Sequence, residues 1–338
     1  MSKLKQKLKK LKSYSRFLRK DYLRNKMPFS FIKMCFVYGI EFGSWQHHIF
    51  KTLASNGFKF SPKNGNHFNA KGDEVVVSNE SKNLHFNLSL TYPWIAEEVF
   101  NANIYKFPKS IYNLLFNGQQ KYIVLDMGAN RGYASLYFAM QRWCEKIYAF
   151  ELFPQTAQQA QENFALNPML QSKITLHKYG LGSKETISKS ISGGGDNSNL
   201  STIECSFLPH RDGISSMNDK FLENYAPEES ENLTKIKCHI RVASETLQEI
   251  FTQNPQARFI VKIDVEGAEY EIMRDIAKYF PQSFERIDCI LGETHCGFVE
   301  WLEILRPYDY EVLSAKPTDN GCCEFIMLSR RLIATIGK

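Results

Sequence analysis

The sequence lacks the features that mark several classes of protein. Its eight cysteines include no Cys-x-x-Cys pair, and several lie in apolar, strand-like runs, so we expect reduced, buried thiols rather than a disulfide framework. The apolar run 29–40 contains Lys33 and is too short to span a bilayer. It also lies behind too long a basic stretch to be an ordinary signal peptide. We therefore expect a cytoplasmic protein.

Negative charge is nearly absent from the first 26 residues. Eleven basic residues stand there against Asp21 alone, a charge of +10, which leaves the rest of the chain at −4 of the overall +6. That acidic balance argues against a broad nucleic-acid-binding face. Leucines at helical spacing predict a basic helix that ends near Pro28. The helix could make peripheral contact with an anionic membrane, bind a partner, or simply be solvated, and the sequence leaves this open.

The remaining chain has no internal repeats and divides into two parts. Residues 29–60 are rich in aromatic residues and predict helices that end near Asn56-Gly57. Turn-forming residues then separate two predicted strands, 74–77 and 84–90, which would form a small β-hairpin. From about residue 92 strands and helices alternate. We therefore expect an N-terminal helical and hairpin extension, 1–91, and a main domain, 92–338.

The alternation in the main domain predicts an α/β fold with a mostly parallel sheet and helices on both faces. A long polar stretch, 188–235, interrupts the pattern. A connection of this length within a compact domain is normally either a functional lid or disordered, and its position favours a lid that faces the substrate. Seven strands are predicted, the last two as a closing pair: 122–125, 147–150, 174–178, 259–263, 287–291, 308–313 and 324–328.

A glycine-containing turn follows the first of these strands, with the pattern Asp126-x-Gly128-x-Asn130-x-Gly132. Open parallel sheets bind their ligands beyond the carboxyl ends of the strands, where glycine lets the backbone come close to a ligand. Asn130 fits such a turn because asparagine tolerates positive φ. The spacing differs from the G-x-G-x-x-G of dinucleotide binders. An acid at the strand end, Asp126, instead suits a cationic ligand such as the amino-acid end of S-adenosylmethionine.

Two further segments extend this predicted pocket. Glu151 ends the next strand, where a carboxylate can accept both hydroxyls of a ribose. Tyr179-Gly180-Leu181-Gly182 follows the third strand, where a backbone-lined slot could hold an adenine. We count Leu181, and also Tyr133 directly after the glycine turn, among the cofactor-binding residues.

Acidic residues cluster after the fourth strand, in Lys262-Ile263-Asp264-Val265-Glu266-Gly267-Ala268-Glu269. Clustered acids are costly unless they serve a function, whereas the helix macrodipole alone would account for Glu266 or Glu269. His295 follows the fifth strand at the same edge of the sheet. It could be a general base or a wall of the pocket. A divalent metal held by Asp264, Glu266 and Glu293 is conceivable, but carboxylates alone do not establish one, so we predict none.

These segments together resemble the FkbM family of methyltransferases. The resemblance rests on Val124–Leu136, on Tyr148-Ala149-Phe150-Glu151 and most specifically on Lys262–Glu269. It covers about residues 92–295. The family usually has proline directly after the second-strand acid, whereas Leu152 and Phe153 precede Pro154 here.

The resemblance implies a Rossmann-like methyltransferase fold with S-adenosylmethionine as methyl donor. It also implies O-methylation of a hydroxyl, often on a sugar or polyketide, so the expected acceptor is a small molecule or glycan. We expect Asp126, Gly128, Asn130, Gly132, Glu151 and Asp264 to bind the cofactor. Asp264 or His295 would take the proton, and Glu266 and Glu269 would orient the acceptor or the cofactor. An RNA or protein methyltransferase, or a degenerate membrane-associated scaffold, are the alternatives.

Overall fold

The structure is a computed structural model that describes residues 12–63, 74–116, 120–190, 200–208, 215–217, 232–295, 297–318 and 321–334. The chain forms two compact units. The first comprises the described residues up to Ile104 together with 162–168, and the second comprises 105–161 and the described residues from 169 onward.

The first unit begins with the basic helix expected from the sequence. Its described part is helical from residue 12, and Phe17–Arg24 has π-helical geometry. It ends before Pro28, which caps the next helix, α1 (Phe29–Val37), and α2 (Trp45–Ser55) follows. Phe17 and Asp21 point inward and are buried. Asp21 binds His47 (2.7 Å) and Lys51 (2.9 Å), so this carboxylate is neutralised inside the unit.

The predicted hairpin is present, within a three-stranded antiparallel sheet. Its strands are β1 (Lys59–Pro62), β2 (Glu74–Asn79) and β3 (Leu84–Ser89), in the order β1-β2-β3. Buried and half-buried residues alternate along β2, as a sheet with one covered face requires. The sequence did not predict β1. A short helix, α3 (Trp94–Glu97), continues as a π-helical turn to Ala102 and completes the unit.

The second unit is built on the predicted seven-stranded sheet, in the order β12-β13-β11-β10-β4-β5-β6. The five strands from β11 to β6 are parallel, and β13 and β12 are the antiparallel closing pair. Every residue of β4 is buried, as expected for a strand covered on both faces. The strands are β4 (Tyr122–Met127), β5 (Cys144–Phe150), β6 (Ile174–His177), β10 (Arg258–Ile263), β11 (Ile287–Thr294), β12 (Tyr310–Pro317) and β13 (Cys323–Ser329).

Helices connect and cover these strands, and the predicted helices after β4 and β5 are confirmed. They are α4 (Lys109–Phe116), α5 (Tyr133–Ala139), α6 (Pro154–Ala165), α7 (Pro168–Gln171), α8 (Lys184–Ser190), α9 (Ala243–Gln253), α10 (Glu269–Tyr279), α11 (Phe298–Leu305) and α12 (Arg330–Ala334). One buried carboxylate, Asp275, accepts from the backbone N–H groups of Lys184 (2.9 Å) and Ser244 (2.8 Å), and so satisfies the first turns of α8 and α9.

The polar stretch 188–235 contains more regular structure than its composition indicated. β8 (Ser201–Phe207) pairs with β9 (Thr234–Val242), which also pairs with β7 (Gly180–Gly182) in a separate three-stranded sheet. These strands are defined by their pairing with one another and not by their local composition. Much of this stretch, which is the predicted lid, lies outside the described residues.

Candidate active site

The topology brings the predicted site segments to one edge of the sheet. Strands β11, β10, β4 and β5 are neighbours and run parallel, so their carboxyl ends lie side by side. Asp126 and Glu151 come from the ends of β4 and β5, whereas Asp264 follows β10 and His295 follows β11. The segment 264–269 after β10 carries the clustered acids, and we call it the acidic loop. The backbone N–H of Asp264 donates to the Met127 carbonyl at 3.1 Å, which joins the acidic loop to the glycine turn. One continuous site therefore contains the segments that the sequence had linked only by motif.

The turn after β4 adopts the backbone conformation that its glycines and Asn130 predict. Gly128, Asn130 and Gly132 have φ angles of 83°, 49° and 80°, all in the left-handed region. At Gly128 a Cβ atom would lie 1.8 Å from the Asp264 carbonyl oxygen, so no other residue fits. The close contact between these two backbone segments thus explains why residue 128 is a glycine. Asn130 is accepted in the turn because asparagine tolerates positive φ.

A buried lysine that the sequence analysis passed over holds this turn in place. Lys262 is the register partner of Asp126 in the β10–β4 ladder, so both side chains lie on the same face. Its Nζ donates to the Gly128 carbonyl at 2.6 Å and lies 3.3 Å from Asp126 Oδ1. Burial by itself lowers the pKa of this amine, but the carboxylates of Asp126 and Asp264 raise it above its usual value. Lys262 is therefore a buried cation that links β4 to the turn.

Asp126 itself has no exposed surface. Its Oδ2 accepts from the Ser135 hydroxyl at 2.6 Å, and its Oδ1 faces Lys262. In this arrangement the carboxylate anchors the turn and the start of α5. A direct contact with the amino-acid end of a cofactor, as expected from the sequence, would require these partners to move.

Glu151 closes the other side of the turn. Its Oε2 accepts from the Asn130 N–H at 2.7 Å, and its Oε1 accepts from the Phe153 N–H at 2.9 Å. The family usually has proline at the position of Leu152, and proline has no backbone N–H. Since the carboxylate of Glu151 accepts from the amide of Phe153, it needs no N–H from residue 152. These two bonds fix the direction of the carboxylate at the carboxyl end of β5.

Tyr133 and Leu181, which were also predicted to bind the cofactor, are buried. Tyr133 is the first residue of α5 and is 2% exposed. Leu181 lies in β7 and is 4% exposed, packed in the cluster that contains Phe150. Tyr133 follows the carboxyl end of β4, and Leu181 follows the carboxyl end of β6.

The acidic loop after β10 is organised by its last member. Glu269 is fully buried, and its carboxylate accepts from the backbone N–H groups of Val265 (3.0 Å) and Gly267 (3.1 Å). This arrangement holds Glu266 at a φ of 53°, a strained conformation for a residue with a side chain. The Ser216 hydroxyl donates to the Glu266 carbonyl at 2.5 Å. The described part of the polar stretch therefore reaches the acidic loop.

His295 lies among three carboxylates. Its Nδ1 is 2.8 Å from Glu269 Oε1, and its Nε2 is 3.4 Å from Glu266 Oε2 and 3.9 Å from Glu293 Oε2. Burial alone would lower the pKa of the imidazole, but the carboxylates of Glu266 and Glu269 hold it well above its usual value. The imidazolium is thus the favoured form, and it is a poor proton acceptor. This environment disfavours the role of general base that the sequence left open for His295.

Glu293 has a pKa that is raised towards neutrality. Burial and, to a lesser extent, the charge of Asp264 raise its pKa to about 7. Glu266, which is more deeply buried, also has a raised pKa, for which burial is the main cause. The side chains of Asp264 and Glu293 remain 28% and 29% exposed, so both can reach a ligand at the rim.

The same atoms have the composition of a cation site. One ligand atom each from Asp264, Glu266 and His295 lies within 4.8 Å of the other two. This set contains a histidine where the sequence analysis had considered a third carboxylate, Glu293. Oxygen and imidazole donors suit several divalent metals, so the geometry is compatible with one and requires none.

The family model for the FkbM methyltransferase domain matches residues 126–312, more than half of the 338-residue chain. The match begins at Asp126 and extends past His295, so it contains every site segment described above. The chain belongs to the FkbM methyltransferase family. The resemblance inferred from the motifs is thereby confirmed, and so is S-adenosylmethionine as the methyl donor of this enzyme.

Other comparisons add little to the family assignment. Among curated proteins none is significantly similar to this FkbM methyltransferase. Similar solved structures include the METTL16 MTase domain, at 11% identity and a TM-score of 0.41 over 74% of this chain and 75% of that one. The tRNA methyltransferase TrmK of B. subtilis has 10% identity and a TM-score of 0.31, over 66% and 67% of the two chains. At these values we draw no conclusion from either.

Within the described residues, no helix of the FkbM methyltransferase is both long enough and apolar enough to cross a membrane.

Proposed function

We propose that this enzyme transfers the methyl group of S-adenosylmethionine to a hydroxyl of a sugar, a surface glycan or a related small molecule. The observation that carries the proposal is the position of Glu293. Its carboxylate is partly exposed, lies near Asp264 beside the glycine turn, and has a pKa of about 7. A base with a pKa near the working pH is what the removal of a hydroxyl proton needs.

The cofactor would be held by the turn and the carboxylate beside it. The turn brings backbone to the ligand without side chains at Gly128 and Gly132, as a close approach requires. Glu151 is held at the carboxyl end of β5 by its bonds to Asn130 and Phe153, where a carboxylate can accept from the two ribose hydroxyls. We assign Asp126 a positioning role through Lys262, since it is fully buried.

In the proposed step the acceptor oxygen attacks the methyl carbon in line with the sulfonium. The carbon–sulfur bond breaks, the carbon–oxygen bond forms, and S-adenosylhomocysteine leaves with the electron pair on sulfur. The hydroxyl proton passes to the Glu293 carboxylate, while Asp264 orients the acceptor. Glu266 and the His295 imidazolium keep these carboxylates in place, because the imidazolium offsets the charge of their cluster.

The test is methyl transfer from labelled S-adenosylmethionine to a panel of acceptors. The panel contains nucleotide-sugars, glycan fragments, mixed RNA and a protein lysate. We expect label in at least one sugar-containing acceptor, on oxygen. Label found only in RNA or protein would contradict the proposed acceptor class, and cofactor binding without transfer to any acceptor would support a degenerate scaffold instead.

The pH dependence of this reaction follows from Glu293. With a pKa of about 7 the base is ionised above neutrality, so we expect kcat to rise with pH through about 7 and then level off. Glu293→Gln should lower kcat by about 10²–10⁴-fold and remove this limb. Glu303→Gln on the exposed part of α11 is the matched control and should leave the profile unchanged. A Glu293→Gln enzyme that keeps the wild-type limb would contradict the assignment.

The raised pKa of Glu293, which makes kcat rise with pH, makes the stability of the fold fall with pH. The folded protein keeps the Glu293 proton up to about pH 7, whereas the unfolded chain releases it near the usual value of 4.5. The contribution of this group to stability therefore decreases as the pH rises between these two values.

A further inference from the structure

The start of the first unit carries a group of exposed basic residues between 12 and 33, which we call the cationic surface. Among the residues that the structure describes, no carboxylate forms an ion pair with any of them. The members of this cationic surface are Lys12, Arg16, Arg19, Lys20, Arg24, Lys26 and Lys33.

Within the segment 12–37 no exposed acid offsets this charge. Asp21 is the one acid in the segment 12–37, and it is fully buried. Its carboxylate is bound by His47 and Lys51 inside the unit. The positive potential of the cationic surface is therefore directed to solvent, where it attracts negatively charged partners.

Large apolar side chains project from the same segment. Leu23 is 69% exposed and Phe29 is 53% exposed, and they are accompanied by Tyr22 and Phe36. The rings of Tyr22 and Phe29 are 5.9 Å apart, so the end of the basic helix and the start of α1 offer one apolar patch. A folded unit does not gain from exposing these groups, which suits them to an interaction site.

We infer that the cationic surface and the apolar patch dock the first unit on an anionic lipid bilayer. The cations would meet lipid phosphates and carboxylates, while Leu23 and Phe29 would enter the boundary between headgroups and acyl chains. Nucleic acid would also attract the cations, but an exposed leucine and a cluster of rings beside it favour a lipid surface. The inference does not depend on the methyl acceptor, so it goes beyond the proposed function.

The structure changes which residues face the membrane. The helical spacing in the sequence predicts an apolar face that carries the leucines of the basic helix. The inward face is instead formed by Phe17 and Asp21, which pack within the unit. The lipid-facing residues are therefore Tyr22 and Leu23 together with Phe29 of α1.

Cosedimentation of the full chain with vesicles tests the inference. We expect binding to vesicles of phosphatidylcholine with about one third phosphatidylglycerol, weakening as salt rises, and little binding to phosphatidylcholine alone. Arg16→Gln/Arg19→Gln/Arg24→Gln should weaken binding by about 100-fold, from about fivefold per charge. The matched control, Lys106→Gln/Lys109→Gln/Lys237→Gln, removes three exposed cations elsewhere and should remain within about twofold of the wild type.

A second variant tests the apolar part and separates the two polyanions. Leu23→Gln/Phe29→Gln should weaken vesicle binding by at least about tenfold while circular dichroism stays unchanged. Wild-type protein that fails to bind anionic vesicles, or an arginine variant that binds them as the wild type does, would overturn the inference. So would tighter binding to mixed RNA that is lost in the arginine variant and unaffected by Leu23→Gln/Phe29→Gln.

Discussion

Lys262→Met should lower the free energy of unfolding by about 3–5 kcal/mol. The substitution removes the cation that faces Asp126 in the interior and leaves that carboxylate buried without its partner. It also removes the donor to the Gly128 carbonyl, so the turn after β4 loses one of its supports. Urea denaturation followed by tryptophan fluorescence measures the change.

Two variants distinguish a lost charge pair from general damage to the core. Asp126→Asn/Lys262→Met removes both charges and should recover at least about half of the loss, because no uncompensated charge remains. Lys278→Met removes an exposed cation that pairs with Glu185 and should cost at most about 1 kcal/mol. A Lys262→Met protein within about 1 kcal/mol of the wild type would contradict this role for the lysine.

Glu151→Ala should weaken the binding of S-adenosylmethionine by about 100-fold. A charged hydrogen bond contributes about 1.5–3 kcal/mol, and the proposed geometry gives Glu151 one or two of them to the ribose. The variant also removes the acceptor for Asn130, which would loosen the turn. Isothermal titration calorimetry with the wild type and with Glu151→Ala gives the ratio of dissociation constants.

A cofactor analogue without ribose hydroxyls separates direct contact from support of the turn. If Glu151 binds the ribose, the wild type should prefer S-adenosylmethionine over the analogue, and Glu151→Ala should bind both about equally. If the carboxylate acts only on the Asn130 N–H, the wild type and the variant will show the same preference for the natural cofactor. That second outcome would remove Glu151 from the set of ribose ligands.

Much of the fold was predictable because it depends on patterns that local residues carry. Apolar runs bounded by turn residues identified all seven strands of the main sheet. The rule that parallel strands bring their carboxyl ends together placed Asp126, Glu151 and Asp264 at one edge before any geometry was known. Gly128 and Asn130 were interpretable for the same reason, since positive φ restricts the residue type at a single position.

The contacts that depend on register were not predictable in this way. Lys262 appeared as a lysine in an apolar strand, and only the alignment of β10 with β4 shows that it faces Asp126. Glu269 had the position of an ordinary first-turn acid, yet it folds back onto the amides of Val265 and Gly267. Because the environment of His295 is set by residues from two loops, its charge state could not be judged from spacing. The strand β8 was missed because it is defined by its partner β9.

The central claim is that the turn 126–132 and Glu151 form the site for S-adenosylmethionine. Titration of the wild-type chain with S-adenosylmethionine in a calorimeter tests it most directly. The account predicts one site per chain with a dissociation constant of about 1 μM to 1 mM, the usual range for an enzyme's substrates. Absence of binding in a folded wild-type protein at about 1 mM cofactor would contradict it.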